Sequence, residues 1–188
     1  GCAPSQLDSD NDGITDNNDN CPDTLENDFI DEFGCTTNLT NVALNKFATQ
    51  STTWETLVAS KAVDGNTNGN NPNLAHSKGA GTDGIWWQVD LGKVYKLAHS
   101  NWYNSTDSCC STGMNNYSIY GSLDGINWTL LNTQTTQMTS PSTIDLNTEA
   151  RFIRLQQNSH DNFNIAEVEI FGIASTTNIP PVDSGIEG

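Results

Sequence analysis

Asp8, Asp10, Asp12, Asp16 and Asp19 stand at positions 1, 3, 5, 9 and 12 of the stretch DSDNDGITDNND, with Gly13 at position 6. Oxygen side chains at that spacing converge on one point, and a glycine at the sixth position permits the sharp turn they need. Ile14 adds a backbone carbonyl. A donor set made only of oxygens suits a hard divalent cation, and calcium better than zinc. Residues 1–35 carry ten Asp and Glu and no Lys or Arg, so this segment needs a cation, solvent or both to offset its repulsion.

A second chemical oddity is Cys109 directly beside Cys110. Adjacent Cα atoms lie about 3.8 Å apart, whereas an ordinary disulfide separates them by about 4.4–6.8 Å. The pair is either two reduced thiols or a strained ring. Neither Cys belongs to a set of nucleophile, base and orienting group, and no closely paired carboxylates sit in a sugar-binding context. The sequence therefore predicts no enzyme.

The bulk composition narrows the partners. Of the net charge of −16, residues 1–35 contribute −10 and the remaining thirteen acidic and seven basic residues −6. Such a surface is a poor match for nucleic acid or an anionic membrane. No apolar run approaches the about 18 residues needed to span a bilayer. Hydrophobic residues make up 35% and charged residues 16% of the chain, a balance that suits short strands and many turns.

Strands must then position any site. IWWQVDLG (85–92) alternates, with Trp87, Val89 and Leu91 on one face and Trp86, Gln88 and Asp90 on the other. NNYSIYGSLDGINWTLL (115–131) reads as strand, turn at Asp124-Gly125, strand. ARFIRLQ (150–156) and IAEVEIFG (165–172) add two more, and no ten-residue stretch has a helical period. The expected fold is all-β, an antiparallel jelly-roll sandwich of about eight strands with an N-terminal calcium-binding loop segment. Trp86, Trp87, Trp102 and Trp128 are expected mainly in its core, with Arg151 and Arg154 supporting the strands.

The acidic head, continued by NCPDT and IDEFGC, resembles a thrombospondin type 3 repeat. That resemblance implies a Cys21–Cys35 disulfide and makes Gly1-Cys2 the tail of a preceding repeat whose partner cysteine lies upstream. A calcium-and-disulfide segment implies an oxidising, secreted or extracellular setting, a bacterial cell surface included, and favours a bridge between Cys109 and Cys110. The expected division is 1–35 calcium-binding linker, 36–173 sandwich, and 174–188 polar C-terminal linker.

NVALNKFATQS, ASKAVDGN, WWQVDLG, YSIYGSLDGINW, ARFIRL and EVEIFG, in that order over 41–172, resemble the discoidin or coagulation-factor type C family. Within it, AVDGN followed by AHS, WWQVDL and YN…D…CC is most similar to the fucose-binding F-type lectins. The resemblance implies ligand binding through loops at one end of the sandwich, by His76, Asp107 and a bridged Cys109–Cys110, with Trp54 and Lys78 nearby. A bridged pair would be a rigid ring presenting apolar sulfur to a sugar's C–H face. The family's two arginine positions read Ser105 and, near the second, Gly113, with Ser108 inserted. The family also implies a structural calcium, held here by the Lys61 carbonyl, Asp64, Asn66, Glu167 and a carbonyl near Asn73. The expected function is a non-catalytic carbohydrate-binding module of a secreted polysaccharide-degrading enzyme, monomeric within a multidomain chain. Its expected partner is a polysaccharide or oligosaccharide that contains fucose, with Lys78 extending the expectation to sulfated fucans. The alternatives are a galactose- or other glycan-binding discoidin module and a cell-adhesion module.

Overall fold

The computed structural model describes residues 7–25, 28–79, 84–107, 114–158 and 162–175. The expectations for Cys2, Ser108, Cys109, Cys110, Gly113 and the linker beyond Ser175 lie outside these residues. The chain divides into two compact units, 1–40 and 41–188.

In the first unit, the Cys21–Cys35 disulfide closes a loop over a separation of 14 residues. Around it run short-range turns and one antiparallel bridge, Ile30 to Thr36. A crosslink over a loop of this length removes denatured-state entropy worth about 3 kcal/mol in the loop-closure account.

The larger unit is all-β and antiparallel. Its strands are β1 (Thr40–Asn41), β2 (Phe47–Gln50), β3 (Ala75–His76), β4 (Ile85–Asn104), β5 (Tyr117–Ser122), β6 (Thr129–Gln134), β7 (Ser142–Gln157) and β8 (Asn164–Ala174). They form an eight-stranded arrangement in the order β1-β8-β4-β7-β5-β6, with β2 on β4 and β3 on β8. A 3₁₀ turn, Ala59–Val63, precedes β3. The long strand β4 changes neighbours along its length. Residues 87–90 pair with β2, and 95–104 pair with β8. The irregularity between Asp90 and Tyr95 is the corner at which one strand serves both layers of a sandwich.

The alternation read in the sequence is the alternation of burial. Trp87, Val89 and Leu91 are fully buried, while Trp86, Gln88 and Asp90 are partly exposed. Trp87 meets Trp102 edge to face, with ring centres 5.9 Å apart. Each indole N–H finds an acceptor, as a buried tryptophan requires: Trp87 donates to the Ala59 carbonyl (3.0 Å) and Trp102 to Ser100 Oγ (2.8 Å).

Two of the four tryptophans assigned to the core lie elsewhere. Trp86 and Trp128 are partly exposed and stack on the Arg154 guanidinium, which lies 4.8 and 4.0 Å from their ring centres. The register explains this for Trp86, which occupies the outward phase of β4. Trp128 falls in the β5–β6 connection. Arg154 also donates twice to Gln88 Oε1, and Arg151 pairs with Asp90 through two bonds of 2.8 Å. Both arginines thus brace the outer face of the sheet, as expected.

The β5–β6 turn is fixed by Asp124. Its carboxylate accepts the N–H groups of Asn127 and Ile126 and the Asn127 amide, which hold it well below the usual carboxylate range. Gly125 follows with φ +76°, and a Cβ there would meet the Phe152 ring.

Trp87→Ala should destabilise the sandwich by about 3–5 kcal/mol through lost burial and a residual cavity. For a unit of this size that is a fall in melting temperature of about 10 °C. Calorimetry of the two proteins checks it, and an unchanged midpoint would contradict the core assignment.

Candidate functional site

β3 is only two residues long, yet it places the central side chain. His76 pairs across to Asn164 of β8. Its N–H donates to the Leu57 carbonyl (3.1 Å), and its carbonyl accepts the Trp54 N–H (3.0 Å). Gln50, at the end of β2, completes the local frame. Its amide nitrogen lies 3.0–3.2 Å from the carbonyls of Thr52, Leu57 and His76 and from Thr53 Oγ1. One half-buried amide therefore ties the Trp54 loop to β3.

A cavity of about 340 Å³ opens there. Trp54, Leu57, Leu74 and His76 line one part of it, and Asn71, Asp107, Asn162 and Asn164 the rest. The Trp54 ring, 43% exposed, tilts against the imidazole with centres 5.8 Å apart. His76 Nδ1 and Asn162 Oδ1 are buried without a hydrogen-bond partner. Burial pushes the His76 pKa below its ordinary value of 6.5, offset in part by the Ser77 backbone, so the ring is neutral at pH 7. An exposed indole face beside buried polar atoms that lack partners suits a ligand with one apolar face and several hydroxyls.

Of the expected binding residues, the structure brings Trp54, His76 and Asp107 together. Lys78 is exposed and does not line the cavity, although its carbonyl accepts the Thr52 hydroxyl. Ser105, at the first arginine position, is buried and its hydroxyl donates to the Gly69 carbonyl (3.0 Å). Sequence reasoning missed Asn71, Asn162, Asn164 and the framing Gln50. The only signal for the asparagines was their density in NNPN and DNFN, which reads equally well as turn chemistry.

In the acidic head, Asp8, Asp10 and Asp12 offer oxygens within 4.8 Å of one another, a group that could hold a metal ion. Asp8 Oδ1 has no hydrogen-bond partner. The Thr24 hydroxyl lies 3.0 Å from Asp10 Oδ2 and 2.6 Å from Asp12 Oδ2, and one hydroxyl proton cannot serve both. Asp16 instead accepts the Ser9 N–H and hydroxyl, and Asp19 accepts the Cys21 N–H. The residues present fit a hard cation.

The second expected metal set centres on Glu167, fully buried in β8. Its Oε1 accepts the Gly65 N–H (3.1 Å), and Oε2 has no partner. Burial pushes its pKa up to about 7, with the Asp64 charge adding to the rise against the Gly65 and Asp64 N–H groups. A buried carboxylate with one unpaired oxygen beside a second carboxylate suits a cation. In the same loop Asp64 accepts the Asn66 N–H, the Asn73 amide donates to the Asn70 carbonyl, and Lys61 Nζ donates to the Pro72 carbonyl.

The fold and its loop-end cavity define a discoidin-type module. The F5/8 type C domain family matches residues 46–170, and the chain belongs to that family. A Streptococcus pneumoniae fucose binding module, SpX-3, is 27% identical with a TM-score of 0.64, over 70% of this chain and 97% of the module. A mutant of the lectin binding domain of lectinolysin, solved with Lewis b, is 25% identical with a TM-score of 0.65, over 72% and 96%. A family 89 glycoside hydrolase from Clostridium perfringens is 26% identical with a TM-score of 0.59, over 75% of this chain but 15% of the enzyme. Comparison with curated proteins finds no match. No helix among the described residues is long and apolar enough to cross a membrane.

A lowered histidine pKa has a defined sign. Above about pH 6.5 the ring is neutral both folded and unfolded and contributes no pH dependence. As pH falls below that value, the unfolded chain takes up a proton that the folded state refuses, so stability declines. Between pH 7.5 and 5.5 the melting temperature of wild type should therefore fall more than that of His76→Gln. Parallel falls would contradict the buried, neutral imidazole.

Proposed function

We propose that this chain is a non-catalytic carbohydrate-binding module of a secreted polysaccharide-degrading enzyme and takes a fucose-containing glycan in the Trp54–His76 cavity. One observation carries the reading. The exposed Trp54 ring leans on an imidazole whose Nδ1 is buried without a partner, beside the equally unpartnered Asn162 Oδ1. Fucose offers a methyl group and C–H edges to the aromatic face and hydroxyls to the polar atoms. That the similar modules are a fucose binding module and a domain solved with Lewis b supports the same ligand class. In this reading Cys109 and Cys110, outside the described residues, form the vicinal disulfide that the lectin resemblance implies and contribute to binding.

Calcium fills two roles in the proposal. Asp8, Asp10 and Asp12, with the Ile14 carbonyl, Asp16 and Asp19, would hold one ion in a thrombospondin type 3-like linker over 1–35. Glu167, Asp64, Asn66 and the carbonyls of Lys61 and near Asn73 would hold another beneath the loops of the module at 36–173, with 174–188 as the next linker. Neither ion touches the glycan. Each would neutralise crowded carboxylates and fix the loop that bears them.

A second reading, a module for a galactose-containing or other glycan, is favoured by Ser105. Ser105 stands at the position that the lectin resemblance assigns to an arginine, its hydroxyl is buried, and no arginine lines the described part of the cavity. The sulfated-fucan form of the leading reading needs Lys78 to reach an anionic group from outside the cavity.

Affinity electrophoresis and calorimetry with fucosylated, sulfated and galactose-containing polysaccharides separate these readings. His76→Ala should weaken fucosylated-glycan binding tenfold to a hundredfold, the equivalent of about 1–3 kcal/mol for a hydrogen bond made in a partly desolvated pocket. Lys78→Ala should matter only for a sulfated ligand, and less at high salt. Equal affinity in His76→Ala and wild type would move the site elsewhere, and new reducing ends would make the chain an enzyme. Adding calcium to chelator-treated protein should raise the melting temperature, since an ion bound only by the folded state shifts the equilibrium. Superimposable melts would refute both ion sites.

A further inference from the structure

The 105–107 turn and the 69–71 segment are joined by a dense set of short bonds. The Gly69 carbonyl accepts both the Thr106 N–H (3.0 Å) and the Ser105 hydroxyl (3.0 Å). Thr106 Oγ1 donates to Asn70 Oδ1 (2.8 Å). Asp107 Oδ2 accepts the Asn71 N–H (2.8 Å), and the Asp107 N–H in turn reaches Ser105 Oγ (3.2 Å). The contact is close as well as polar. A Cβ on Gly69 would lie 2.6 Å from the Thr106 nitrogen and 2.7 Å from the Asn104 carbonyl oxygen, so only glycine lets the two backbones meet.

From this geometry we propose that Asp107 is a positioning residue for the glycan site, acting through Asn71, and that Gly69 is the point at which the 105–107 turn grips the cavity wall. Asn71 and Asp107 both line the cavity, and a bond between them fixes the distance across that part of its rim. Ser105 and Asp107, which the lectin resemblance places in an arginine-bearing motif, bond here from loop to loop. Preorganising the wall lowers the ordering cost of binding without a direct contact. The proposal rests on the glycan-binding reading of the cavity, but the clamp itself is readable without any glycan.

Amide hydrogen exchange of the full chain reads the clamp directly. Asp107→Ala should speed exchange at Asn71, while Asp107→Asn, whose amide oxygen still accepts the Asn71 N–H, should keep its protection. Gly69→Ala should open both Asn71 and Thr106. If that variant does not fold, Thr106→Val, which deletes only the bond to Asn70, should raise exchange in the same segment more mildly. With Lewis b oligosaccharide as probe, Asp107→Ala should lose about tenfold in affinity, and Asp107→Asn should recover most of that loss. Unchanged Asn71 exchange in Asp107→Ala would overturn the proposal. So would equal losses of affinity in the Ala and Asn variants, which would make the carboxylate a direct glycan ligand. If wild type fails to bind Lewis b while the exchange pattern holds, the ligand assignment falls and the clamp stands.

Discussion

The burial of Trp87 is the constraint on which the rest of the larger unit depends. Its indole fills the centre of the core against Trp102, and its N–H must be satisfied where water cannot reach. The acceptor is the Ala59 carbonyl, at the start of the only 3₁₀ turn among the described residues. That bond, with the burial of Ala59, Ala62 and Val63 and the Asn45 N–H on the Val63 carbonyl, holds the turn between the segments that flank it. On one side runs the Trp54–Val58 loop, whose Leu57 carbonyl accepts the His76 N–H. On the other runs the 64–74 loop, which carries Asp64 and the Asn71 wall. A core interaction thus sets the positions of both rims of the cavity, and the sandwich is scaffold in a literal sense.

The loops themselves spend few apolar residues. Their order comes from backbone groups captured by polar side chains: half-buried Gln50 for the Trp54 loop, buried Ser77 for Phe163, whose N–H it accepts at 2.9 Å, and buried Ser105 for Gly69. This arrangement leaves His76 Nδ1, Asn162 Oδ1 and Glu167 Oε2 as buried polar atoms with nothing to bond. Atoms of that kind are costly in a finished core. At the end of a sandwich, beside a cavity or a neighbouring carboxylate, such atoms are available to a ligand or an ion.

Much of the fold was legible because a sandwich strand declares itself by alternation. IWWQVDLG buried the residues its period said it would, and ARFIRLQ and IAEVEIFG fell inside β7 and β8. The same rule, applied consistently, would have placed Trp86 outward with Gln88 and Asp90. Size and hydrophobicity argued for the core, and the Arg154 guanidinium overrode them by offering both Trp86 and Trp128 a cationic partner. His76 was named through the motif that carries the lectin resemblance, and Asp8, Asp10 and Asp12 through their spacing; the structure sets the first in a cavity wall and brings the three carboxylates together. The site was illegible in Asn71, Asn162 and Asn164, because asparagine serves turns and ligands alike, and only the β3–β8 pairing and the 105–107 turn bring the three together.

In the proposed function, glycan sits against Trp54 and His76 at the loop end of the sandwich. An amide and side-chain NMR titration of the isotope-labelled full chain with Lewis b oligosaccharide tests it most directly. The largest shift changes should cluster on the Trp54 indole, the His76 ring and the Asn71 and Asn162 side-chain amides, with intermolecular contacts from the fucose methyl to the Trp54 ring. Changes confined to the outer face around Trp86, Arg154 and Trp128, or to the acidic head, would contradict it.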